Sequence, residues 1–192
     1  KKIIILIPVF NDWDSLVKLL NEINNSIEDT KNYEFNCIVI NDASSIKQPD
    51  LSKPSNIKSF KIINMKNNKG HARCNAFGIR HISENEIFDY VILMDGDGED
   101  RPIEIKDFVT EISKNPNMSV VANRSKRSEG TIFQSMYRIH KFLTYIFTGK
   151  KINFGNYSCL TKQDIRSLSD KASLWSSYSG SVKKNLKELK EM

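Results

Sequence analysis

The feature that most limits the fold is a rhythm of short β-branched runs alternating with helical spacing through the first 122 residues. The run Ile3-Ile4-Ile5-Leu6-Ile7 has no polar alternate position, so it suits a strand covered on both faces. Pro8 is expected to end it. Asp12 or Asp14 can cap a helix in which Leu16, Leu19, Leu20, Ile23 and Ile27 recur at helical spacing. Residues 35–40 read as a second strand, stopped by Asn41-Asp42, and residues 60–65 as a third. Asn67-Asn68-Lys69-Gly70 is a turn, and residues 72–82 read as a helix. Residues 88–94 form a fourth strand that runs into Asp95-Gly96-Asp97-Gly98. Pro102 suits the first turn of a helix reaching about Lys114, and residues 118–122 a fifth strand. This order predicts an α/β protein with a Rossmann-like, mostly parallel twisted sheet and helices on both faces. Ligands of such sheets bind beyond the carboxyl ends of the strands. Three polar segments fall there: residues 8–12, 41–45 and 95–100.

Composition removes other classes. The 192 residues are enough for one core, and 39% hydrophobic with 27% charged residues is too apolar for a disordered chain. Cys37, Cys74 and Cys159 are far apart, with no CxxC. That pattern argues against a disulfide framework or a zinc site and suits a reducing compartment. His71, His81 and His140 do not cluster. No apolar run approaches the roughly 18 residues of a membrane span, and the run 3–8 is too short for a signal peptide. Charge is uneven. Residues 1–100 carry 12 basic and 15 acidic side chains, whereas residues 101–192 carry 17 and 8. The first part is expected to hold a cation and the second to face something anionic. Beyond residue 123, Arg124, Lys126 and Arg127 make a basic turn, and residues 132–147 read as a largely apolar helix. Residues 153–160 suit a strand, 161–168 a helix, and 183–192 a charged helix or a frayed tail.

The segment Asp95-Gly96-Asp97-Gly98-Glu99-Asp100 places four carboxylates in six residues. Like charges this close raise one another's pKa unless a cation neutralises them. Carboxylate oxygens suit magnesium or manganese, which use one or two carboxylates together with substrate phosphates. An EF-hand is excluded, because loop position six is Asp100 and position twelve is Lys106. Asp42 can accept hydrogens of a base or a ribose hydroxyl, or can serve as a cap. The turn Asn68-Lys69-Gly70-His71-Ala72-Arg73 opens a helix with two cations beside its positive end, which suits a diphosphate. It is neither a P-loop nor a GxGxxG turn.

Together these segments carry a resemblance. IIILIPVFN (3–11), CIVINDAS (37–44), NKGHARCN (68–75) and VILMDGD (91–97) resemble the four successive signatures of family 2 glycosyltransferases of the GT-A fold. DGDGEDRPIEI (95–105), VVANRSKR (120–127) and NFGNYSCLTK (153–162) are similar to later motifs of the polyprenyl-phosphate, dolichyl-phosphate mannose synthase-like, sugar transferases. The resemblance implies a GT-A domain over 1–168, with a nucleotide-binding part in 1–100 and an acceptor-side part in 101–168. Residues 169–192 are then a helical tail that can lead to a membrane region. It implies that Pro8, Phe10 and Asn11 line the nucleotide pocket and that Asp42 contacts base or ribose. Lys69 and Arg73 hold the nucleotide, and Asp95, Gly96 and Asp97 form the DxD segment whose aspartates bind Mg2+ or Mn2+. Arg124 and Arg127 meet the donor or acceptor phosphate. Asn41 stands where the family often has Asp, and Ala43 where it usually has Gly.

The implied reaction is inverting transfer of a sugar from a nucleotide-diphosphate sugar to an acceptor. A hydroxyl acceptor needs a carboxylate base, and Glu129, Asp164 and Asp170 are isolated rather than forming the Glu-Asp pair many members carry. A phosphate is already an anion near neutral pH and needs no base, which favours a lipid-phosphate acceptor. Residues 124–151 hold seven basic side chains and one acid around the apolar helix, a composition suited to the cytoplasmic face of a membrane. Transfer to a saccharide hydroxyl and a non-catalytic nucleotide-sugar binder are the competing readings. A phosphatase with a DxD nucleophile loop would need Thr or Val where Glu99 stands. No nucleic-acid recognition motif is present.

Overall fold

The computed structural model describes residues 1–30, 32–123, 153–186 and 188–192. Arg124, Arg127, Glu129 and the apolar helix expected over 132–147 lie outside the described residues. The strands are β1 (Lys2–Val9), β2 (Glu34–Asn41), β3 (Ser59–Asn64), β4 (Tyr90–Leu93), β5 (Ser119–Asn123), β6 (Phe154–Thr161) and β7 (Leu189–Glu191). They form one sheet in the order β3-β2-β1-β4-β6-β5-β7. β6 alone runs against its neighbours β4 and β5; every other pairing is parallel. The helices are α1 (Trp13–Ile27), α2 (His71–Asn85), α3 (Ile105–Lys114), α4 (Lys162–Ser169) and α5 (Tyr178–Asn185). The mostly parallel sheet with helices on both faces is thus the observed architecture.

The isoleucine run explains the layers. Ile3, Ile5 and Ile7 pack with Leu16, Leu19 and Ile23 of α1 and with Phe108 and Ile112 of α3. Ile4 and Leu6 turn the other way, onto Ile79 and Ile82 of α2, Leu168 of α4 and Val182 of α5. Both alternating sets are buried, so β1 needs no polar position. Each such side chain stabilises the fold by roughly 1.5–3 kcal/mol. Asp12, not Asp14, caps α1: its Oδ1 accepts from Ser15 N–H at 3.3 Å. Pro102 opens a 3₁₀ turn, Pro102–Glu104, that feeds α3.

Pro8 does not end β1. The strand runs one residue further, to Val9. Met94 N–H donates to Leu6 C=O and Asp42 N–H to Val9 C=O, so even residues of β1 face β4 and odd ones face β2. The β1–β4 ladder stops at the Leu6–Leu93 pair, while β2 follows β1 to Val9. The missing amide hydrogen of Pro8 therefore points where β4 has already turned away, and no ladder bond is lost.

The last residues also differ from the expectation of a helix or frayed tail. Residues 189–191 form β7, which adds to the edge of β5 in parallel. Leu174, Tyr178, Val182 and Leu186 join the same core cluster as Val91 and Leu160. Tyr178 lies 2.5 Å from Ser158 Oγ, hydroxyl to hydroxyl, so it anchors the tail to β6. Among the described residues no helix is long and apolar enough to cross a membrane.

α2 rests on the sheet through Gly78. A Cβ there would lie 2.6 Å from Leu6 Cδ1 and 3.1 Å from Ile40 Cγ1. In a free helix Ala is favoured over Gly by about 1 kcal/mol, whereas overpacking a filled core costs roughly 1–3 kcal/mol. Gly78→Ala is therefore expected to lower the urea midpoint, for a net loss of up to about 2 kcal/mol. A raised midpoint would show that α2 does not press on Leu6.

Candidate active site

Strand order reverses at β1: β2 and β3 lie on one side and β4 on the other. At such a point the loops that follow β1 and β4 separate and leave a crevice beyond the strand ends. The two backbones are close-packed where they part. At Gly96 a Cβ would sit 2.6 Å from the carbonyl oxygen of Pro8. Only glycine lets the loop after β4 leave its strand that close to β1.

The tips of β1 and β2 are tied together by side chains. Asn11 N–H donates to Ser44 Oγ at 2.9 Å, and its Oδ1 accepts from Ile46 N–H at 3.0 Å. Trp13 Nε1–H donates to Ile46 C=O at 3.0 Å. Asn11 and Ala43 both have left-handed backbone, with φ of 56° and 57°. Asn tolerates that region, whereas Ala there costs about 1–2 kcal/mol; the glycine usual at this place would avoid the strain. Asn41 Oδ1 accepts from Ser44 N–H at 2.9 Å, and its Nδ2 donates to Asn64 Oδ1 at 2.8 Å. Here the amide does local work that a carboxylate could only half perform, because it both donates and accepts.

Asp42 is 3% exposed. Its two carboxylate oxygens accept from Lys69 N–H and Gly70 N–H, each at 2.8 Å. Gly70, with φ of 83°, directly precedes α2. The carboxylate thus pins the turn that opens α2, and the positive end of that helix meets a charge it stabilises.

Beyond β4, Asp100 Oδ2 accepts from Asp95 N–H at 2.8 Å and closes the acidic loop on itself. Asp97 Oδ1 accepts from Glu99 N–H at 2.9 Å, and Gly98 takes a φ of 79°. Tyr157 of β6 donates its hydroxyl hydrogen to Arg101 C=O at 2.8 Å and holds the loop's far end. Asp95 is half-buried and Asp97 exposed. His71 Nε2 stands 3.2 Å from Asp95 Oδ1, and Asn156 Nδ2 reaches both Asp95 oxygens, at 3.1 and 3.2 Å. The same imidazole nitrogen lies 2.8 Å from Asn156 Nδ2 and 3.0 Å from Asn75 Nδ2. His71 follows Gly70, so one connected network runs from Asp42 through the α2 turn to Asp95.

The residues singled out in the sequence therefore fall into distinct places. Asp42, Asp95, Gly96, Asp97, Asn11, Lys69 and Arg73 all lie at the tips of β1, β2 and β4 or at the opening of α2. The side chains of Lys69 and Arg73 are exposed, and Phe10 is 49% exposed at the rim. Pro8 is buried within β1 and meets the crevice through its backbone. Two members of the network, His71 and Asn156, lie in the segments 68–75 and 153–162 but take no site role from the sequence. The β4–β6 ladder ends at the Leu93–Ser158 pair, and counting two steps on in each chain brings Asn156 alongside Asp95. Among the described residues no group of three or more His, Cys, Asp and Glu side chains is arranged to hold a metal ion. Asp95 and Asp97 do supply the two hard carboxylate donors that magnesium and manganese accept when other oxygens complete the shell. The three cysteines are buried, and burial pushes the Cys37 and Cys74 thiols up to about 12, which leaves them inert.

Comparison with known proteins places this architecture. The model of the family described as Glycosyl transferase family 2 matches residues 4–175, and the chain belongs to that family. A curated relative, the undecaprenyl-phosphate 4-deoxy-4-formamido-L-arabinose transferase of Salmonella choleraesuis (strain SC-B67), is 28% identical over 175 residues, covering 88% of this chain and 50% of the relative. The chain thus spans about half the length of the curated relatives it matches. Among solved structures, S. aureus TarS 1-349 in complex with UDP superposes with a TM-score of 0.62 at 13% identity, over 100% of this chain and 58% of that one. The mannosyltransferase PcManGT from Pyrobaculum calidifontis, in complex with GDP-Man and Mn2+, gives 0.58 at 14% identity, over 99% and 54%. These likenesses show the GT-A fold.

Two outcomes test the network. The imidazole of His71 is pushed above its ordinary value of 6.5, chiefly by the hydrogen bond to Asp95, with partial burial opposing. A raised folded value means that the stabilisation is complete below the ordinary value and is lost as pH rises through the raised one. In an NMR titration, Asp95→Asn is expected to bring the His71 midpoint back down; an unchanged midpoint would separate the two groups. Gly96→Ala is expected to cost roughly 1–3 kcal/mol in chemical denaturation, since the new methyl meets backbone rather than a flexible side-chain end.

Proposed function

We propose that this chain is the catalytic domain of a metal-dependent, inverting glycosyltransferase that moves a sugar from a nucleotide-diphosphate donor to a polyprenyl phosphate at a membrane surface. The observation that carries the reading is the hydrogen-bonded chain from Asp42 through Lys69, Gly70 and His71 to Asp95. It joins the tip of β2 to the tip of β4 across the opening of α2, where the donor is assigned. Family membership supports the transferase, and the curated relatives' names support the lipid-phosphate acceptor. Structural neighbours solved with UDP, UDP-GlcNAc and GDP-Man support the donor class.

Each residue has a physical task in this reading. Phe10 offers an exposed aromatic face at the rim for a base. Lys69 and Arg73 place positive charge beside the donor diphosphate, and the amino end of α2 adds its own. Asp95 and Asp97 would hold magnesium or manganese, which, when bound, offsets the charge that gathers on the departing diphosphate. Arg124 and Arg127 are assigned to the donor or acceptor phosphate. The basic segment 124–151 is assigned to the cytoplasmic membrane face.

Calorimetry with UDP, GDP, CDP and dTDP in the presence of Mn2+ should yield one preferred diphosphate. Asp97→Asn should weaken it on the order of 10-fold or more, the size of loss that even an outer hydrogen-bond partner of a metal ligand produces. Because Asp97 is exposed, Tm should move little. Unaltered affinity for every diphosphate would remove the DxD assignment. Labelled donor, Mn2+ and polyprenyl phosphate should yield lipid-linked sugar. Product formed only with a saccharide acceptor would move the reading to hydroxyl transfer.

A further inference from the structure

We infer that Asn156 is a positioning residue for the metal-binding carboxylate of Asp95, an assignment that rests on the function proposed above. Three observations lead to it. The first is register: Leu93 pairs with Ser158 at the end of the antiparallel β4–β6 ladder, and two steps on in each chain bring Asn156 alongside Asp95. The second is geometry: one amide nitrogen reaches both carboxylate oxygens, at 3.1 and 3.2 Å. A donor shared between the two oxygens fixes the place of the carboxylate.

The third is that the neighbouring contact is contested. His71 Nε2 has Asp95 Oδ1, Asn156 Nδ2 and Asn75 Nδ2 within 3.2 Å. An imidazole nitrogen offers one hydrogen or one lone pair, so it serves one of these well at a time. Asn75 is 1% exposed, and its Oδ1 has no hydrogen-bond partner. That buried amide competes for the same ring nitrogen. His71 also sits in the first turn of α2 with half its side chain exposed, whereas Asn156 is carried by a strand hydrogen-bonded to β4 itself. Of these two contacts with Asp95, the one set by the sheet is the amide on β6, and His71 is the adjustable one. Hydrogen-bond partners of metal ligands set ligand orientation, and losing one costs roughly 10–100-fold in metal affinity.

The test follows Mn2+ binding by loss of the free-ion EPR signal, with UDP and GDP added in turn. Asn156→Ala should weaken Mn2+ on the order of 10–100-fold. Asn156→Gln, which keeps an amide donor at that place, should recover most of the loss. His71→Ala should cost less than Asn156→Ala. Thermal unfolding of all three without metal should match wild type within a few degrees. Equal Mn2+ affinity in wild type and Asn156→Ala would overturn the positioning role while leaving the transferase reading intact. A loss that Asn156→Gln does not reduce would overturn it as well. Wild-type protein that takes up no Mn2+ with either nucleotide would overturn both.

Discussion

The close approach of β1 and β4 at their carboxyl ends is the constraint on which the site depends. Gly96 has no room for a Cβ beside the carbonyl of Pro8, and Pro8 has no amide hydrogen to waste where β4 departs. The two residues solve one problem from opposite sides. One strand must continue past the point where its neighbour turns away, and both backbones must remain in contact as they part. The acidic loop consequently starts at the crevice floor instead of above it.

On that floor the structure handles negative charge by distributing it. Asp42 is almost fully buried, and a buried carboxylate is costly unless its oxygens are hydrogen-bonded. Two backbone N–H groups at 2.8 Å and the amino end of α2 meet that need. Asp100 takes a third backbone N–H, and Asp95 takes an amide and an imidazole. Each of these bonds to a charged group contributes about 1.5–3 kcal/mol where it is shielded from water. The same bonds also fix direction. They hold the α2 turn and the acidic loop in one frame.

How much of this was legible depended on whether the signal was local. The both-faces-buried run 3–7, the helical spacing after Asp12 and the polar residues at three strand ends each announce themselves within a few positions. They gave the sheet, its parallel sense and the place of Asp42, Asp95 and Asp97. Pro8 misled, because a proline's effect on a strand depends on which neighbour its nitrogen faces. The tail misled too. The segment 189–191 is charged and short, and only the free edge of β5 makes it a strand. His71 and Asn156 were hidden for a third reason. Asn156 reaches Asp95 only once β6 has been inserted antiparallel beside β4, a pairing between residues more than sixty positions apart, and His71 meets Asp95 only where the start of α2 packs beside the tip of β4. Asp42 was legible as a site residue but not in its detail, since both oxygens go to a turn 27 and 28 residues downstream.

The fate of the carboxylates bears on the acceptor. Removing a proton from a hydroxyl during attack requires a base within hydrogen-bond reach of the reacting oxygen. Asp42 and Asp100 are committed to backbone N–H groups, and Asp95 to Asn156 and His71. Asp164, an isolated carboxylate later in the chain, lies at the other end of the sheet. Lys162 N–H beside it bonds to Asp89 C=O, ahead of β4, and Asp164 itself accepts from the Ser119 hydroxyl at the start of β5. A phosphate monoester, with a second pKa of about 6, brings its own nucleophilic anion and asks nothing of these groups. What it does ask is positive charge to approach against, and the sequence supplies that in the basic residues 124–151. A site in which Asp42, Asp95 and Asp100 accept hydrogen bonds that hold its shape fits an acceptor that arrives already ionised.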